Sequence, residues 1–139
     1  MILIIKGVFE LKKWLGAFLA FVFLFAIQAN TTHAATTYWS GEAHFSTHFT
    51  TKTFYLPNKQ LILDLEKYAS PKDGSFRIEL RKSSGKLVDS CTGDAYANKI
   101  GYYAKCYFDQ KRSAGKYYLK FVSLTEGVTI HIPSYTLHD

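Results

Sequence analysis

The chain has 139 residues, with 17 Lys plus Arg, 11 Asp plus Glu and 2 Cys, a length that suits one domain. Apolar types make up 47%, too many for a disordered chain. The basic residues are dispersed among carboxylates, which argues against a nucleic-acid binder.

Residues 1–34 read as a secretory signal peptide. Lys6, Lys12 and Lys13 precede an uncharged block from Leu15 to Ile27, and polar residues then lead to Thr32-His33-Ala34. Cleavage is expected after Ala34, with Ala29 and Ala35 as open alternatives, leaving residues 35–139 as a single domain. The block has 13 residues, short of the roughly 20 that span a bilayer. This predicts a secreted, extracellular product with at most peripheral membrane contact. The first 34 residues carry three basic and one acidic side chains, so the remaining 105 keep 14 and 10, a net of +4.

Phe45, Thr47 and Phe49 alternate with His44, Ser46 and His48, which predicts a strand from about Glu42 to Thr53. Its threonines favour extended chain because branching at Cβ restricts rotation more on a helix than on a sheet. After the Pro57-Asn58 turn, Leu61 to Leu65 is an apolar run that suits a strand, with a helical turn from Asp64 to Ala69 left open. Phe76, Ile78 and Leu80 against Arg77, Glu79 and Arg81 give a period of two, hence a half-buried strand ending at Ser83-Ser84-Gly85. Leu87 to Thr92 reads as the next strand, Gly93 to Gly101 as a loop, and Tyr102 to Asp109 as another alternating strand. Beyond the Ser113-Ala114-Gly115 turn, Lys116 to Ser123 and Val128 to Ile132 are strands parted by Glu126-Gly127, with Tyr135 to Leu137 extending the last past Pro133. No segment has sustained helical spacing. The pattern predicts an all-β fold, a small antiparallel β-sandwich.

Cys91 and Cys106 fall on consecutive strands of this reading, at a spacing that permits direct cross-strand pairing. For an exported chain, one disulfide is favoured over free thiols or a metal site. Fourteen residues lie between them, and closing such a loop stabilises a fold by about 3 kcal/mol.

From Phe76 onward the alternating strand, Ser84-Gly85-Lys86-Leu87-Val88 and Ser113-Ala114-Gly115-Lys116-Tyr117-Tyr118-Leu119 resemble the bacterial prepeptidase C-terminal domains over about 60 residues. That resemblance implies a jelly-roll-like sandwich and an accessory or surface-binding role. The acidic strand with which those domains approach calcium is replaced here by Phe-Arg-Ile-Glu-Leu-Arg, so calcium binding does not carry over.

No motif names a chemistry. His44 and His48 would share a strand face too far apart for one metal, and zinc would need His131, His138 or an acid besides. No serine occupies a Gly-x-Ser-x-Gly setting. Asp64 and Glu66 would share a strand face as paired carboxylates or, more plainly, as a charged edge. Asp89, Asp94 and Asp109 could meet near the disulfide loop, without calcium-loop spacing. The reading is therefore no catalytic residue, no metal and no cofactor.

The aromatic content is the informative part: residues 35–139 hold 10 Tyr, 6 Phe and Trp39. Tyr103, Lys105 and Tyr107 should point outward from one strand, and Tyr118 and Lys120 from another. Placed side by side, these rows would offer rings interleaved with ammonium groups; burial of both under a sheet and loops is the structural alternative. The expectation is a non-enzymatic binding module for cell-wall glycan or another extracellular polymer through these five residues. The alternatives are a secreted interaction protein, an inhibitor or antimicrobial factor that uses the same patch or the Gly93 to Gly101 loop, and, third, a small hydrolase. Extracellular polysaccharide or a secreted or surface protein is the expected partner, with no nucleic acid.

Overall fold

The computed structural model describes residues 34–139; the proposed signal peptide lies almost wholly outside the described residues. Nine strands run β1 (Thr37–Phe45), β2 (His48–Thr50), β3 (Phe54–Leu56), β4 (Leu61–Ser70), β5 (Gly74–Lys82), β6 (Leu87–Ala95), β7 (Tyr102–Phe108), β8 (Gly115–Ser123) and β9 (Thr129–His138). One antiparallel sheet has the order β1-β9-β4-β7, and the other β2-β8-β5-β6, with β3 also pairing β8. Because β2 and β3 lie in succession along β8, they act as one interrupted edge strand. Counted that way the connectivity is an eight-strand jelly roll.

Alternation builds the core. Leu61, Leu63 and Leu65 of β4, Phe76, Ile78 and Leu80 of β5, and Tyr117, Leu119 and Phe121 of β8 are all buried between the sheets. Full burial of each such side chain contributes about 1.5–3 kcal/mol. In β9 the alternation is reset by a register irregularity at Pro133-Ser134, opposite both β1 and β4, so that Ile130, Ile132, Tyr135 and Leu137 all face inward. Proline, with no N–H to donate, suits such a bulge. Gly74 is required by close approach, since a Cβ there would lie 2.7 Å from Val128 Cγ1.

Several expectations need correction. The strand placed from Glu42 to Thr53 is broken at Ser46-Thr47, where the chain crosses from one sheet to the other. β4 is strand throughout, with no helical turn at Asp64 to Ala69. Gly93, Asp94 and Ala95 belong to β6, which shortens the loop before β7. The disulfide between Cys91 and Cys106 is present, with Cα atoms 6.0 Å apart, but it is not a link within one sheet. β6 is an edge of one sheet and β7 an edge of the other, so the bond closes the open side of the sandwich.

Candidate functional site

The outer face of the four-stranded sheet carries a continuous polar and aromatic surface. Cross-strand register puts Tyr107 beside Ile62, Lys105 beside Asp64 and Tyr103 beside Glu66, while β9 sets His138, Thr136 and Ser134 on the far side of the same three β4 residues. Since β7 is an edge strand, its outward side chains have a neighbouring strand on one side only. Tyr103 is 72% exposed and Tyr107 52%. Four residues apart on an extended strand, the two rings are separated by roughly 14 Å along it.

Lys105 is fixed between them. Its Nζ lies 2.9 Å from Asp64 Oδ1, and Asp64 Oδ2 takes a 2.9 Å bond from His138 Nε2. The Lys105 ammonium, more than the opposing effect of burial, and then His138 hold the Asp64 carboxyl below the usual carboxylate range. His138 is pushed up by the Asp139 carbonyl and by Asp64. A hollow of about 390 Å³ opens at Asp64, Tyr103 and Lys105. Glu66 accepts a bond from the Gly101 N–H, so Asp64 and Glu66 do not converge as a catalytic pair.

Along the same face His44 and His131 meet through their Nδ1 atoms at 3.0 Å, Ser70 Oγ lies 2.9 Å from His131 Nε2, and the Tyr68 ring stacks on His131. Burial, then the charge of His44, pushes His131 down. His48 sits in the other sheet, away from His44. The His44–His131 contact has no local sequence signal, because it arises from pairing of the first strand with the last. Among the described residues no three His, Cys, Asp or Glu side chains gather as a metal site. Asp89, Asp94 and Asp109 bond instead to Ser90 and Gln110 N–H groups, to Ser75, and to Gln60 respectively.

Tyr118 and Lys120 are not part of this surface. They lie on β8, in the interior of the five-stranded sheet, and project from the opposite outer face of the sandwich, so the expected side-by-side rows do not form. Their cross-strand partners are Arg81 and Glu79 of β5. Glu79 is 3% exposed and bonded to both Arg77 and Arg81. Burial raises its carboxyl, and the two guanidiniums outweigh that, leaving it below its ordinary value.

No protein-family model and no curated protein sequence matches the chain. Among solved structures, it is similar to a CBM4 structure with a TM-score of 0.54 and 11% identity, over 75% of this chain and 77% of that one. It is also similar to the carbohydrate binding module CBM6cm-2 from Cellvibrio mixtus lichenase 5A in complex with cellotriose, with a TM-score of 0.47 and 6% identity over 77% and 90%. At these identities the likeness concerns the β-sandwich fold.

Proposed function

We propose that the protein is an exported, non-enzymatic module that binds extracellular polysaccharide on the outer face of the four-stranded sheet. The observation that carries this reading is the pair Tyr103 and Tyr107, exposed on an edge strand, with Lys105 held between them by Asp64. Tyrosine rings offer flat apolar area to sugar rings together with a hydroxyl for hydrogen bonding, at little cost in side-chain entropy. The jelly roll shared with the CBM4 structure is a fold on which such a surface can sit. Pull-down on insoluble polysaccharides and cell walls tests it, with Tyr103→Ala/Tyr107→Ala as the control. Loss of about tenfold in affinity per ring is expected, at 1.4 kcal/mol for each factor of ten. A wild-type protein that holds no polysaccharide, or a double variant that binds unchanged, refutes the reading.

A second reading, a secreted protein that binds another protein, is favoured by Ile100. It is 75% exposed, in the loop two residues before Tyr102 and three before Tyr103. Capture of a secreted or surface protein that Ile100→Ser abolishes, with polysaccharide binding absent, would select it.

A further inference from the structure

A second feature lies at the end of the sandwich where β7 leaves its sheet. The β5–β6 hairpin, the β7–β8 loop and Asn58 before β4 enclose an open cleft of about 800 Å³, lined by Lys82, Lys86, Lys111, Arg112, Leu87 and Val88 among others. Four of its lining residues are cationic and none is a carboxylate. Arg112 is the telling member. It is 7% exposed, its Nη2 donates to the Lys59 carbonyl, and its Nε has no acceptor among the described residues. No carboxylate of the described residues comes within salt-bridge distance of it; Asp89 attracts it from farther away, with its oxygens already taken by the Ser90 and Gln110 N–H groups. A guanidinium withdrawn from water keeps its charge, and leaving such a charge without a bonded counter-ion is costly. An anion from outside would supply the missing counter-ion.

We propose that this cleft takes a carboxylate or sulfate group carried by an acidic polysaccharide. The polymer part rests on the function proposed above, while the preference for an oxyanion rests on the cleft alone. Two observations favour a polymer over a free ion. The cleft is far larger than one oxyanion, and its cations are spread over a hairpin and a separate loop. Tyr107 stands four residues before Lys111, a separation of at most about 14 Å along the chain, so a polymer of several sugars is long enough to touch both the ring and the cleft. Arginine bonds planar oxyanions through paired N–H groups, and lysines on mobile stems add charge without fixed geometry.

The test compares polygalacturonate with its methyl-esterified form, the same backbone without charge, by calorimetry on the full-length protein. Because Arg112 is buried and its replacement risks the fold, the variant is Lys82→Gln/Lys86→Gln/Lys111→Gln. The wild type should prefer the acidic polymer by at least about tenfold, the worth of one charge-assisted hydrogen bond, and the preference should fade as salt is raised. The triple variant should lose that preference while retaining its affinity for the ester. Equal affinity of the wild type for acid and ester, or a preference that survives the triple substitution, overturns the cleft and leaves polysaccharide binding standing. If no polymer binds while inorganic sulfate raises the wild type's unfolding temperature and not the variant's, the function proposed above fails and the cleft belongs to a free ion, which also overturns the proposal. Tighter binding to duplex DNA or to anionic vesicles than to polygalacturonate overturns it likewise.

Discussion

β7 and β8 carry nearly the same outward pattern, Tyr-x-Lys-x-Tyr from Tyr103 and Tyr-x-Lys-x-Val from Tyr118, yet the two faces they form are opposites. On β8, flanked on both sides, the row is half-buried and set against β5's Arg77, Glu79 and Arg81, which bind one another. On β7, at a sheet edge, the tyrosines stand free and only Lys105 is engaged. Position within a sheet, more than side-chain identity, decides whether an aromatic row is available to a ligand.

Removing the disulfide is the largest perturbation of that contrast. It ties the two edge strands together, and Cys91→Ala/Cys106→Ala should lower stability by about 3 kcal/mol in denaturant unfolding. Amide exchange should quicken most in β6 and β7 and least in β8. Uniform quickening in all strands would show that β7 is no looser than the interior. Glu79→Ala comes next. It leaves Arg77 and Arg81 facing each other and should cost about 2 kcal/mol, below the range for fully buried pairs because both guanidiniums keep some water. A cost within about 0.5 kcal/mol, as for ordinary surface substitutions, would mean that the five-stranded face is no more self-satisfied than the other.

The pH response should separate the faces more finely. His138, raised by the Asp139 carbonyl and Asp64, contributes stability that is complete below its ordinary value and lost as pH rises through its folded value. His131, depressed by burial and His44, imposes a penalty that is relieved as pH rises toward that same ordinary value. Stability should therefore peak near about pH 6.5, with the alkaline decline absent from His138→Gln. Asp64 and Glu79, both lowered, should contribute with Asp139 to the acid limb below about pH 4, where protonation breaks the Lys105 and His138 pairs of Asp64 on one face and the Arg77 and Arg81 pairs of Glu79 on the other. The smallest effect on stability belongs to Tyr103→Ala/Tyr107→Ala, within about 0.5 kcal/mol in thermal unfolding, so any loss of binding reports contact and not folding.

The strands with a clean period of two, Phe76 to Arg81 and Tyr102 to Phe108, were legible because one face of each meets the core. The cysteine pair was legible too, but not its place. The same spacing serves a link between adjacent strands and a bridge between two sheets, and only the strand order tells them apart. β4 was ambiguous because Asp64-Leu65-Glu66-Lys67 does not alternate through Lys67. That side chain lies on the inward face, its Nζ over the rings of Phe76 and Tyr102. Of the five residues expected to bind, Tyr103, Lys105 and Tyr107 share a surface, and Tyr118 and Lys120 belong to another. The basic cleft had no sequence signature, since Asn58, Lys82 with Lys86, and Lys111 come from three separate stretches of the chain.

The register of β1 with β9, Thr37 opposite His138, bears on how the molecule is made. Until the ten residues of β9 have left the ribosome, a nascent chain holds β1 without a partner and β4 with one side bare. Pairing at such sequence distance is slow, so the first sheet cannot close until β9 is available to it. Translation halted before Thr129 should yield a product that chaperones retain or proteases clear, never a smaller working version of the protein.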